Sequence, residues 1–292
     1  MEQLEKLKTK KEIAGELHSI VRVMKTLAAV SLKEYKPITE VMAEYNKTIE
    51  LGLQVVMKQK PYDFLFAKTA VTRLGAVIFG SDQGLCGNFN EEIAKFALTK
   101  TKELSKDCDM IAIGEKVCDY LEQAGHICES KFSYPPNTLG ITQLISKILT
   151  RIDEWSLKQG INKILIFYNK LEPGVVFQPY MQVLLPLDSE WLSNLAQKKW
   201  PGKTIPISAM NWDDLFSALI RRQTFYSLFM VFIESIASES NSRLIAMQRA
   251  EKNIEERIAE LNTSFQRVRQ TSITSELIDI VTGYEALLSP KN

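Results

Sequence analysis

The chain has 292 residues, enough to bury a sizeable core in one or two domains. Its 36 lysines and arginines nearly balance 35 aspartates and glutamates, a formal net charge of +1, so no strongly basic surface for nucleic acid or anionic lipid is expected. Hydrophobic residues make up 45 % and no apolar run reaches about 18 residues, so no transmembrane helix is predicted. The opening MEQLEKLKTKKEI is charged throughout, with no apolar signal-peptide core, and a cytoplasm-like compartment is expected.

From Leu4 to Met57 the pattern is helical. Ile13, Leu17, Ile20, Met24 and Leu27 step by four, three, four and three, and Tyr35, Ile38, Met42, Tyr45 and Ile49 repeat that alternation. The two runs are offset by one residue, a stutter in a heptad pattern. A helix over 1–58 would be roughly 80 Å long, so part of it must project or pair with another long helix. Pro37 removes a backbone donor and should kink it near Lys33 to Lys36.

Between residues 72 and 207 the character changes. LGAVIFGS (Leu74–Ser81), MIAIG (Met110–Gly114) and KILIFYN (Lys163–Asn169) are short apolar runs ending in turn residues, the signature of buried parallel strands. Helical patterns at Asn90 to Ser105, Glu115 to Ala124 and Thr142 to Lys158 separate them, which implies βαβ units and a doubly wound sheet. Val175–Leu187 reads as a final antiparallel edge strand, where Pro179 is tolerated.

From 208 to 288 the helical pattern returns. Phe232, Ile236, Met247, Ala250, Ile254, Ile258, Leu261, Phe265 and Val268 keep a three/four spacing, with polar Ser240 and Arg243 in the seam. Asp213-Asp214 suits the helix N-terminus. The seam skips five residues from Val268 to Ile273 across Arg269-Gln270, then resumes as Ile273, Leu277, Ile280, Tyr284 and Leu287. Two long terminal helices around a compact module pack most simply as an antiparallel coiled coil. The predicted fold is therefore α/β: paired N- and C-terminal helices with a central Rossmann-like domain.

Chemistry-bearing motifs are sparse. Ser81-Asp82-Gln83-Gly84-Leu85-Cys86-Gly87-Asn88-Phe89-Asn90 follows the first strand, where a phosphate loop would sit, yet it lacks both glycine-rich fingerprints. It reads as a ligand loop or as a structural or partner-facing turn, with Asn90 available to cap the next helix. Pro201-Gly202-Lys203-Thr204 imitates a Walker tail, but Gln197 stands where the upstream glycine belongs. His18 and His126 have no evident nucleophile or ligand set. Cys86, Cys108, Cys118 and Cys128 form no paired motif and read as reduced thiols. No catalytic, cofactor-binding or metal-binding residue is assigned.

Three blocks carry a resemblance across essentially the whole chain: Val23-Met24-Lys25-Thr26-Leu27-Ala28-Ala29, the Ser81–Asn90 loop, and Arg269-Gln270 with Ile273-Thr274, Glu276-Leu277-Ile278, Ile280-Val281, Gly283 and Glu285-Ala286-Leu287. In order and spacing they resemble the γ subunits of F-type rotary ATP synthases, and the departures suggest a divergent or alternative bacterial form. That resemblance implies a non-catalytic central-stalk rotor, without a cofactor, coupling proton or sodium flow to ATP chemistry on β subunits. It implies partners in the α and β subunits of an α3β3 ring, in ε and in the c-ring. No nucleic acid is expected. The location implied is peripheral, on the cytoplasmic face of the bacterial inner membrane through Fo. Arg269, Gln270 and Thr274 match positions that catch a β-subunit loop. Met24 and the loop residues Asp82, Gln83, Gly84, Cys86 and Gly87 match positions facing the β lever. Ile280, Tyr284, Leu287 and Leu288 would form an apolar bearing tip. Gln83 replaces the usual Arg or Lys, so one charge contact to the lever is expected to be missing. Read without the resemblance, the alternative is a stand-alone α/β nucleotide- or small-molecule-binding protein with helical dimerisation arms.

Overall fold

The computed structural model describes residues 2–59, 73–105, 107–135, 138–207 and 209–288. It divides into two compact units, one made of Met1–Ala28 with Leu244–Asn292 and one of Ala29–Arg243. Two helices contribute to both, α1 (Glu2–Gln59) and α6 (Trp212–Leu288).

The larger unit is built on a five-stranded sheet. β1 (Leu74–Phe79), β2 (Cys108–Ile113), β3 (Ser130–Phe132) and β4 (Lys163–Lys170) are parallel, and β5 (Gln178–Leu185) runs antiparallel to β4, in the order β3-β2-β1-β4-β5. The three apolar runs of the sequence are β1, β2 and β4, and the expected edge strand is β5, with Pro179 opposite Asn169 near one end of the pairing. Side chains of β1 alternate between two cores, as a strand covered on both faces must. Val77 and Phe79 pack with α4 (Thr138–Gln159) and with Leu228–Ile233 of α6. Leu74, Ala76 and Ile78 pack with α2 (Phe89–Leu104) and α3 (Glu115–Gln123).

Two elements escape the sequence pattern. β3 has only three residues, too few to show a period. α5 (Ser189–Gln197) did carry a signal, since Asp188 caps it by accepting from the Glu190 backbone N–H at 2.8 Å.

Within this unit the second run of α1 is covered as its spacing predicts. Tyr35, Ile38 and Met42 lie against the first core, while Tyr45, Ile49 and Leu53 join Leu195, Phe216 and Leu219 in a third. Gly52 permits that approach, because a Cβ there would sit 2.8 Å from Leu219 Cδ2. The Trp212 indole N–H donates to the Val56 carbonyl at 2.8 Å. Pro37 lies inside α1 without ending it.

The smaller unit is an antiparallel pair of helical segments. His18 meets Glu255, and Lys25, seven residues on, meets Glu251, four residues back. The α6 face is as read from the sequence: Met247, Ile254, Ile258, Leu261, Phe265 and Val268 are buried or half-buried. The α1 face differs from the expected seam. Of Ile13, Leu17, Ile20, Met24 and Leu27, only Met24 is half-buried; the other four are exposed, Leu27 by 61 %. The covered stripe is Leu4, Leu7, Ala14, His18, Val21, Lys25 and Ala28. Both stripes satisfy the same three/four period, and the covered one contains Ala14 and Ala28, which are buried.

Candidate partner-contact surfaces

The loop after β1 is held from four directions. A Cβ at Gly80 would lie 2.3 Å from Val117 Cβ, so only glycine lets the chain leave the strand there. The Ser81 backbone N–H donates to Asn90 Oδ1 at 2.8 Å, and Asn90 Nδ2 returns a bond to Ser81 Oγ at 2.8 Å. Asn90 is thus a buried strut. α2 starts one residue earlier than the sequence suggested, and its first turn is not capped by this side chain. Asp82 spends both carboxylate oxygens on backbone donors, Glu115 N–H at 3.0 Å and Tyr134 N–H at 2.7 Å. From α6, Ser242 Oγ donates to the Cys86 carbonyl at 2.7 Å, and Arg243 Nη2 reaches the Gln83 and Gly84 carbonyls at 3.5 and 3.4 Å.

The matched loop residues therefore separate by task. Cys86 is buried and Asp82 is fully used within the fold, so these two shape the loop. Gln83, Gly84 and Gly87 form its exposed rim. Leu85 stands with them, 61 % exposed and with φ of 63°, a left-handed leucine. That conformation costs a side-chain-bearing residue ~1–2 kcal/mol. Nothing in the sequence singles out Leu85, because neither its exposure nor its backbone angle is written in the residue type.

A cavity of 390 Å³ opens beside the loop, lined by Tyr35, Asp82, Tyr134, Glu239, Ser240 and Arg243 among others. Burial pushes the Glu239 carboxyl above the ordinary carboxylate range, and the ion pair with Arg243 offsets this only in part. The Tyr134 phenol, on a half-buried residue and bonded to Ser235 Oγ at 3.3 Å, is raised by the same desolvation.

The other matched residues belong to the helical pair. Met24 is half-buried, one residue before the Lys25–Glu251 contact. Arg269, Gln270 and Thr274 are all exposed, with Thr274 Oγ1 donating to the Gln270 carbonyl at 2.9 Å. The catch residues and Met24 are separate stations, about 27 Å apart along α6 by the helical rise from Glu251 to Arg269. Ile280 and Tyr284 are 69 % and 64 % exposed, whereas the side chains of Leu287 and Leu288 fall outside the described residues.

An exposed apolar stripe on a helical pair, together with a firmly braced loop on an α/β unit, defines a protein whose surface suits contact with other chains. A family model described as ATP synthase matches residues 3–287. An ATP synthase gamma chain of Buchnera aphidicola subsp. Schizaphis graminum is 30 % identical, covering 96 % of this chain and 98 % of its own. That of Azobacteroides pseudotrichonymphae is 27 % identical over 98 % of this chain and all of its own. A chain in the Euglena gracilis mitochondrial ATP synthase OSCP/F1/c-ring structure has a TM-score of 0.70 at 16 % identity, covering 98 % of this chain and 94 % of that one. A chain of the Tetrahymena thermophila mitochondrial central stalk/c-ring gives 0.59 at 19 %, with 79 % and 99 % covered. The chain belongs to the ATP synthase gamma-chain family. These relatives do not favour the stand-alone ligand-binding alternative, and the two structures share its fold.

Proposed function

We propose that this chain is the central-stalk rotor subunit of a rotary ATP synthase. It transmits torque between a membrane c-ring and an α3β3 ring whose β subunits carry the chemistry, and is itself non-catalytic. The observation that carries this reading beyond family membership is the outward stripe of α1: Ile13, Leu17, Ile20, Leu27 and their neighbours Val23 and Val30 are exposed at helical spacing. A stripe of that kind suits a bearing, because apolar contacts lack the directional bonds that lock one angle. The reading assigns 1–58 and 208–288 to the shaft and 72–207 to the foot, which rests on the c-ring with ε.

Arg269, Gln270 and Thr274 serve as the catch for a β loop. Gln83, Gly84 and Gly87, with Met24, face the β lever, while Asp82 and Cys86 keep the loop in shape. Ile280, Tyr284, Leu287 and Leu288 are the bearing tip. No helix among the described residues is long and apolar enough to cross a membrane, which agrees with a peripheral place, here assigned to the cytoplasmic face through Fo. Co-expression with the α and β subunits of the same organism tests the proposal. The expected product is an α3β3γ complex whose ATP hydrolysis rotates a bead fixed to this chain. A chain that elutes alone beside a fully active α3β3 assembly rejects it.

A further inference from the structure

We propose that His18, Glu251 and Glu255 form a site for a divalent transition-metal ion, with Zn2+ as the test case, bridging α1 and α6 within the smaller unit. The three side chains offer ligand atoms that all lie within 4.8 Å of one another. His18 Nε2 is 3.3 Å from Glu255 Oε1. Two ligands bound at about 2.05 Å to a tetrahedral zinc are themselves ~3.3 Å apart, so this pair already has the separation a metal requires. Glu251 and Glu255 are four residues apart on one helix face, so both carboxylates stand on the side of α6 that His18 meets. One imidazole nitrogen with two carboxylates selects zinc and its first-row neighbours over magnesium or calcium, which take all-oxygen shells of higher coordination. A fourth position is left for water.

A second observation comes from the helix seam. The pair turns a stripe containing His18 and Lys25 inward, while the apolar residues Ile13, Leu17, Ile20 and Leu27 stay outside. Polar residues in a seam cost stability and are accounted for when they serve register or binding. Lys25 holds Glu251 Oε2, leaving its second oxygen, and the ammonium opposes an incoming cation. Lys25 therefore holds the affinity down. Bound metal would cross-link the two helices and stiffen the pair, and the site does not depend on the rotor reading.

Calorimetric titration of the chelator-stripped full-length chain with Zn2+, repeated with Mg2+, tests this. One Zn2+ should bind per chain at micromolar concentration, raising the melting temperature, with Mg2+ much weaker. Affinity should fall on acidification, because the ligands must be deprotonated. His18→Gln and Glu255→Gln should each weaken binding roughly tenfold or more. Lys25→Met should tighten it, which a role in helix pairing alone would not produce. Unchanged affinity in His18→Gln, equal affinity for Mg2+, or no tightening in Lys25→Met overturns the proposal, as does the absence of saturable Zn2+ binding.

Discussion

At the scale of single residues, Leu85 separates stability from function. Its positive φ is a strain that asparagine tolerates better than leucine does. Leu85→Asn is therefore expected to hold or raise the unfolding free energy of the isolated chain, read from urea denaturation, by up to ~1 kcal/mol, while slowing coupled ATP hydrolysis in the assembled complex. A lowered midpoint with full activity would show that the loop needs leucine for its own fold. Glu239 gives a pH signature. Its folded carboxyl value is raised, by burial first, above the ordinary carboxylate range, and Glu234 is shifted the same way for the same reason. The folded state thus binds protons more tightly than the unfolded chain. The stability gained by protonation is complete below the unfolded value and is lost as pH rises through the folded one. Glu239→Gln, which keeps an acceptor for Arg243, should flatten this decline when urea midpoints are compared from mildly acid pH to neutrality.

Elements show why a period alone does not orient a helix. The three/four spacing of Ile13, Leu17, Ile20 and Leu27 is genuine, yet the stripe faces away from α6. Ala14 lies on the covered stripe and is nearly inaccessible. Ala14→Leu should overpack the helix pair at a cost of ~1–3 kcal/mol. Leu17→Ala should stay within ~0.5 kcal/mol of the parent in the isolated chain and yet weaken assembly with α and β. The reverse order of effects in denaturation and pull-down measurements would restore the seam read from the sequence. In the α/β unit the period sufficed. β1, β2 and β4 are buried on both faces, so a continuous apolar run identifies them without any choice of side.

For the whole molecule, the end of α6 provides a clean separation. Every described side chain from Ile273 to Tyr284 is exposed, whereas Val268 and Ser272 are still half-covered. Deleting residues 273–292 should leave the melting temperature of the isolated chain nearly unchanged and abolish most coupled hydrolysis in the complex. A truncated chain that fails to fold would mean that the tip supports the helix pair. Full coupling in the truncated complex would remove the bearing role from Ile280 and Tyr284.

The residues by themselves determined the alternation of strands and helices, the two long terminal helices and the antiparallel edge at β5, because each is a local pattern of burial and backbone preference. They also carried the three blocks by which the family is recognised. Only the tertiary structure decided that Asn90 braces a loop, that Asp82 spends its charge on two backbone N–H groups, and that α1 turns inward the stripe that holds Ala14, His18 and Lys25. Those facts depend on partners 9, 33, 52 and more than 200 residues away in sequence. Periodicity records that a face is apolar. What the face meets is set by packing between distant segments, and here α6 covers a different stripe of α1 and leaves this apolar face exposed.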